Sequence, residues 1–288
     1  MQKKKIAVIF GGNSTEYEVS LQSAFSVFEN INHDKYDIIP IGITRNGDWY
    51  HYKGRYENIA NNTWSGDRDN LYPVTVSVSH SQKGIWEFDE DQYTAVHIDL
   101  VFPILHGKNG EDGTLQGMFE LSGIPVIGCN TLASALCMDK DRAHKLVSLA
   151  GVKVPKSVTF KRSEKNTALK KIETELSYPL FVKPVRAGSS FGITKVTEQA
   201  EINTAIESAL EHDTEVIVEE TINGFENAYF PMIALAGSKE QTEVHDSVKG
   251  LAAMNKNCRY EIWDKAAHNI PPVFSKRFNE LIIRMAEI

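Results

Sequence analysis

The stretch KPVRAGSSFG, Lys183 to Gly192, admits two incompatible readings, and each dictates a different fold. Gly188-Ser189-Ser190-Phe191-Gly192 satisfies the G-x-S-x-G pattern of a nucleophile elbow, in which Ser190 would accept an acyl group on a sharp strand-to-helix turn. The same residues form a small turn rich in backbone N–H groups beside a lysine, which suits a phosphate. The residues after the loop decide between them. An elbow leads straight into a helix, whereas ITKV, Ile193 to Val196, is β-branched and strand-like. YPLFVKP, Tyr178 to Pro184, also reads as a strand, so the loop joins two strands and the phosphate reading is favoured.

Working outward, the pattern predicts a strand at SVTF (157–160), a helix near 164–176, a helix over EQAEINTAIESALEH (198–212) and a strand TEVIVEE (214–220). One long helix, SALCMDKDRAHKLVSLAG (134–151), opens this block and is stopped by Gly151. The block is a compact α+β unit over about residues 131–226. Within it, Lys140 and Lys183 stand on different elements, and with the small-residue loop they can cradle polyphosphate. The acidic pair Glu219-Glu220, at a strand end, can accept hydrogen bonds from an amino group or a ribose. Each piece alone is usually a solvated charge; together, in one α+β block, they are a stronger signal.

Residues 1–130 have another character. KIAVIF, ended by Gly11-Gly12, is a short continuous apolar run, the look of a buried parallel strand. A helix over EVSLQSAFSVFENI and a strand YDIIPIGI come next. Residues 51–95 read as a hairpin and loops. IDLVFPIL is another buried strand ending at His106, and the loop HGKNGEDGT leads into the helix LQGMFELSG and a short strand IPVIG. The expectation is an open, mostly parallel sheet. GGNSTEYEVSL, at a strand end and helix start, suits an anion or small molecule. The plainer reading is a capped helix, with Ser14 or Thr15 at the N-cap and Glu16 and Glu18 near the helix dipole. His106 stands where open α/β sheets bind ligands; the plainer reading is a satisfied loop histidine.

The bulk numbers bound these readings. At 288 residues the prior is two domains. A net charge of −7 argues against a nucleic-acid partner, so phosphate would be met by local lysines and amides. Cys129, Cys137 and Cys258 are too few and scattered for a disulfide framework, and none forms a C-x-x-C pair. The apolar run Ile6 to Phe10 is too short for a signal peptide, and no stretch approaches the roughly 20 apolar residues of a membrane span. A cytoplasmic protein is expected.

FGGNSTEYEVSL, LHGKNGEDGTLQG, ASALCMDKDRAHKL, YPLFVKPVRAGSSFGITKV and EVIVEETINGFE, in this order and spacing, resemble the D-alanine–D-alanine ligase family of ATP-grasp enzymes. The resemblance covers about residues 3–226 and is nearest to the D-alanine–D-serine ligases of G-type vancomycin resistance. It implies an N-terminal substrate-binding domain (1–130), an ATP-grasp subdomain (131–226), ATP and magnesium as cofactors, D-alanine and a second D-amino acid as substrates, and a homodimer. It implies that Glu16 holds the ammonium of the first D-alanine and that His106, steadied by Glu111, lies near its carboxylate. Lys140 and Lys183 would contact ATP phosphates, and Ser189 and Ser190 would close over them, Ser190 also orienting Glu16. Glu219, Glu220 and Ile222 would line the adenine slot, and Glu226 would reach the ribose.

After Glu226 the resemblance stops. The lid and the closing segments that carry the magnesium carboxylates in the family have no counterpart in residues 227–288. The order of elements there, strand FPMIALAG, helix EVHDSVKGLAAM, strand CRYEIW and a final helix FSKRFNELIIRMAEI, is similar to the end of an α/β-hydrolase. Glu240 (or Asp246) would match the acid and His268 the histidine of such an enzyme, without a nucleophile of its own.

Overall fold

The computed structural model describes residues 3–188, 191–221, 232–240 and 242–266, together with 277, 280 and 281. Contacts divide the chain into two units, residues 1–221 and 222–288.

The first unit opens with β1 (Lys4–Gly11) and α1 (Tyr17–Asn30), then β2 (Tyr36–Ile43), β3 (Trp49–Tyr52) and the short α2 (Tyr56–Ala60). β4 (Leu71–Val76), β5 (Gly84–Asp89), β6 (Gln92–His97) and β7 (Leu100–Pro103) complete a seven-stranded sheet in the order β6-β5-β4-β3-β2-β1-β7. β1 lies parallel to both β2 and β7. Because both its faces are covered, it reads as an unbroken apolar run, and the strand alternation sends its side chains two ways. Ala7 and Ile9 join a cluster with Leu115 and Phe119, while Ile6, Val8 and Phe10 join Leu21, Phe28 and Trp64.

The parallel sheet expected for residues 1–130 is therefore present as β2-β1-β7. It continues outward as four antiparallel strands, β3 to β6, across residues read from sequence as a hairpin and loops. Trp64 shows why that stretch is structural. It is fully buried, packs edge-on to Phe10 at 5.1 Å between centroids, and donates Nε1–H to the Tyr17 hydroxyl at 3.0 Å. Gly42 of β2 is a glycine because the Trp64 ring occupies the space a Cβ would need.

After α3 (Thr114–Ser122), the single helix expected over 134–151 is two: α4 (Thr131–Met138) and α5 (Lys140–Leu149). Asp139 breaks it. Its carboxylate accepts the Arg142 N–H at 2.9 Å and so caps α5 instead of continuing α4. This break places Lys140 in the first turn of a helix.

A second sheet, order β10-β9-β11-β8, is built from β8 (Ser157–Lys161), β9 (Leu180–Pro184), β10 (Thr194–Val196) and β11 (Glu215–Glu220). All its pairings are antiparallel. α6 (Lys165–Glu175) and α7 (Ile202–Leu210) cover one face, where Val158, Leu180, Val182, Ile206 and Val218 form the core. Alternation leaves Phe181, Lys183, Ile217 and Glu219 on the opposite face.

In the second unit, β12 (Met232–Gly237), α8 (Thr242–Met254) and β13 (Cys258–Trp263) form a strand–helix–strand with the two strands parallel. Ile233, Leu235, Trp263, Ala266 and Leu281 form its core. Strand, helix and strand fall where the sequence pattern expects them.

Candidate active site

Glu16 is the focus of one half of the site. It occupies the N-cap position of α1, yet its side chain makes no capping hydrogen bond, and neither Ser14 nor Thr15 takes the capping role expected of it. Ser14 instead works as a clip. Its hydroxyl accepts the Glu16 N–H at 3.0 Å and donates to the His106 carbonyl at 2.9 Å, tying the loop after β1 to the loop after β7. The Glu16 side chain is buried against two glycines. A Cβ on Gly107 or on Gly188 would run into Glu16 Oε2. Residues from both sheets thus close around one carboxylate.

His106 follows β7, and its Nε2 lies 3.3 Å from the Ser23 hydroxyl on α1. Glu111 does not touch the imidazole. Its Oε2 accepts the Gly107 N–H at 2.7 Å, so it steadies the backbone beside His106 and not the ring.

The other half is cationic. Lys140 donates from Nζ to the carbonyls of Ala187 at 2.7 Å and Val185 at 3.4 Å. Burial, and then the nearby Lys183 charge, hold its pKa below the usual lysine range. Lys183, on β9, ion-pairs with Glu219 of β11 and lies 5.3 Å from the Phe181 ring centroid. Glu219 is almost fully buried. Glu220 does not act beside it: alternation turns it to the other face, where Oε1 accepts the Ser177 N–H at 2.9 Å. Ser189, Ser190, Ile222, Glu226 and His268 lie outside the described residues. Among the tail candidates, Glu240 follows β12 directly and Asp246 lies on α8.

Sequence reasoning missed His144. It stands one turn after Lys140 on α5, and its Nδ1 is 3.9 Å from Glu219 Oε2. Both atoms are buried without a hydrogen-bond partner. The only signal was the four-residue spacing from Lys140, which puts both on one helix face.

The stem of the loop is anchored by Arg186. Its backbone N–H and its guanidinium donate to Asp213 at 2.7 and 2.8 Å, and the guanidinium also meets Glu215 at 3.1 Å. Burial alone would raise the Asp213 pKa, but the combined Arg186 hydrogen bonds and charge outweigh it and lower it. A carboxylate with a depressed folded pKa stabilises fully above its unfolded value of 3.8, and the contribution is lost as pH falls through the folded value. Urea midpoints between about pH 2 and 5 should therefore fall less steeply for Asp213→Asn than for the parent. Parallel curves would remove this anchor from the acid limb.

The loop itself excludes the elbow. β10 follows it and pairs antiparallel with β9, Thr194 opposite Val182, where an elbow requires a helix. Nor do these residues fit magnesium. Glu219 is held by Lys183, Asp213 by Arg186, and Glu215 by Arg186 and Arg142. Among the described residues no three metal-ligating side chains come together.

The family model described as D-ala D-ala ligase N-terminus matches residues 5–129, and that described as D-ala D-ala ligase C-terminus matches residues 146–287. The second match takes in the tail that sequence reading set apart. The crystal structure of VanG D-Ala:D-Ser ligase from Enterococcus faecalis is 72% identical, with a TM-score of 0.73, over 78% of this chain and 64% of that one. The D-alanine–D-alanine ligase of Caldicellulosiruptor bescii is 43% identical over 230 residues, covering 78% of this chain and 62% of the relative. The vancomycin B-type resistance protein VanB of Enterococcus faecalis is 43% identical over 226 residues, with the same coverage. The chain spans a little under two thirds of the length of these relatives. The two family models together span most of the chain, and with relatives of this identity beside them the chain belongs to the D-alanine–D-alanine ligase family.

Proposed function

We propose that this chain carries the nucleotide and first-substrate half of an ATP-dependent D-alanine–D-amino-acid ligase site. The observation that carries it is the Lys140 ammonium. Half-buried beside Lys183, it hydrogen-bonds only to carbonyl oxygens and forms no ion pair among the described residues. A half-buried cation of this kind is balanced when an anion enters, and the amide-rich loop beside it supplies further donors. ATP phosphates are the anion. Glu219 faces the base, and Glu16, walled by Gly107 and Gly188, accepts hydrogen bonds from the ammonium of D-alanine.

In the reaction so assigned, a D-alanine carboxylate oxygen attacks the γ-phosphorus and ADP leaves. The amine of a second D-amino acid then displaces phosphate from the acyl phosphate to form the peptide bond. Lys140 and Lys183 position the phosphates and offset their charge, the main source of rate in phosphoryl transfer. Magnesium, were it bound, would supply charge neutralisation at the phosphates; the described residues offer it no ligand set. The whole-length activity, with a role in glycopeptide resistance, belongs to this proposal, as does a cytoplasmic setting. Among the described residues no helix is long and apolar enough to cross a membrane.

The test is titration calorimetry of the folded chain with ATP and magnesium, with and without D-alanine, and then a dipeptide assay. ATP binding strengthened by D-alanine is expected, with turnover several orders of magnitude below a full-length relative. A folded chain that binds no ATP would refute the assignment. Turnover equal to that of a full-length relative would show that the metal ligands are supplied by residues outside those described.

A further inference from the structure

α1 buries two stripes of different chemistry. Tyr17, Leu21, Ala24 and Phe28, at helical spacing, enter the apolar cluster beside β1. Next to them Glu16, Ser20 and Ser23 follow at i, i+4 and i+7, and all three are buried as well. Buried polar groups normally find partners, so each of these asks for one. Ser20 is accounted for on both counts: its hydroxyl accepts the Gly11 N–H at 2.8 Å and donates to the Ile104 carbonyl, joining the ends of β1 and β7. Ser23, about one turn further on, meets a side chain of the site. Its Oγ lies 3.3 Å from His106 Nε2 and makes no other hydrogen bond among the described residues.

That single contact decides where the imidazole carries its proton. The Ser23 O–H is a buried donor, and Nε2 is the acceptor it meets; withheld, that proton would carry a desolvation penalty. Nε2 is then bare, and in a neutral ring the proton stands on Nδ1. Nδ1 makes no hydrogen bond among the described residues, so its N–H is left for a ligand. The backbone around the ring is fixed as well, with Ser14 holding the His106 carbonyl at 2.9 Å and Glu111 the following N–H at 2.7 Å. We infer that Ser23 is a positioning residue: it fixes His106 as the Nδ1–H tautomer, so that this N–H donates to the carboxylate of D-alanine while Glu16 takes the ammonium. The inference rests on the D-alanine reading above and extends it to a residue that the resemblance leaves without a role. One polar stripe of α1 then addresses both ends of an amino acid.

The tautomer is read directly in long-range proton–nitrogen correlation spectra of the full chain at mildly alkaline pH, where imidazole is neutral. His106→Gln identifies the His106 signals by their loss. The parent should show Nδ1–H. Ser23→Ala should move His106 toward Nε2–H, the form that free histidine favours, whereas Ser23→Thr, which keeps the hydroxyl, should keep Nδ1–H. A second readout is titration, in the presence of ATP, with D-alanine and with D-alaninol, which keeps the ammonium and lacks the carboxylate. Ser23→Ala should bind D-alanine about tenfold more weakly and D-alaninol as the parent does. A parent on Nε2–H, or Ser23→Ala with the parent's tautomer, overturns the inference whatever binds. An equal loss for both ligands overturns it too, since that is the response of a merely structural serine, and so does D-alanine affinity unchanged in Ser23→Ala. A folded parent on Nδ1–H that binds no D-alanine overturns the substrate reading, and the role with it, while the tautomer assignment stands.

Discussion

Lys183→Ala should abolish measurable ATP binding and lower stability by about 3–5 kcal/mol at neutral pH. The two effects share one cause. Lys183 and Glu219 are an ion pair between adjacent strands, with Lys183 side-chain exposure of 21% and Glu219 of 7%. Breaking a buried pair from one side leaves the other charge uncompensated, which costs far more than the pair itself contributes. Glu219 Oε2 has no hydrogen-bond partner among the described residues to fall back on. The double variant Lys183→Ala/Glu219→Gln separates the effects. Removing the stranded charge should recover most of the stability but none of the ATP binding, because the phosphate cation is still missing. Urea denaturation and calorimetry on the three variants measure both. Equal stability of Lys183→Ala and the parent would mean that water reaches Glu219 freely and that the site is open. Retained ATP binding would assign the phosphates to Lys140 alone.

How far the sequence spoke depends on the length scale of each signal. β1 was legible because burial on both faces leaves an uninterrupted apolar run, which few other environments produce. The loop after β9 was legible because the β-branched residues behind it forbid a helix. Trp64 was not legible. It belongs to no periodic element, and its place beside Phe10 and under Gly42 arises only when β2 and the 3-10 turn around it are assembled. The cap at α1 was misread because Ser14 and Thr15 fit the N-cap rule locally, while the Ser14 hydroxyl is claimed by His106, ninety-two positions away. Asp139 was misread in the reverse sense: it carried a true cap signal inside a pattern that looked like continuous helix. His144 has no signature of its own, because what distinguishes it is its place beside Glu219 of β11.

Gly107→Ala should cost more than its backbone angle explains, and the excess should report on Glu16. Gly107 has φ +69, a conformation that costs an L-residue about 1–2 kcal/mol. Gly47 supplies the control: its φ is +94, and nothing lies within 4 Å of where its Cβ would be. Gly47→Ala should therefore carry the conformational cost alone. At Gly107 the new methyl must also displace the Glu16 carboxylate, whose Oε2 is approached as closely by Gly188. The expected result is a stability loss clearly greater than that of Gly47→Ala. D-alanine binding should also fall tenfold or more, because the displaced carboxylate no longer meets the ammonium. Adding Glu16→Asp withdraws the carboxylate by one methylene. It should return the stability of Gly107→Ala to the Gly47→Ala level without restoring D-alanine binding. Chemical denaturation and D-alanine titration in the presence of ATP measure the two responses. Identical losses for the two alanine variants, with D-alanine binding intact, would mean that Glu16 can swing clear of the loop, and the ammonium would then have to be assigned to another acceptor. A site held by the absence of two side chains, at Gly107 and Gly188, is sensitive to the smallest addition, and this comparison measures that sensitivity apart from the turn itself.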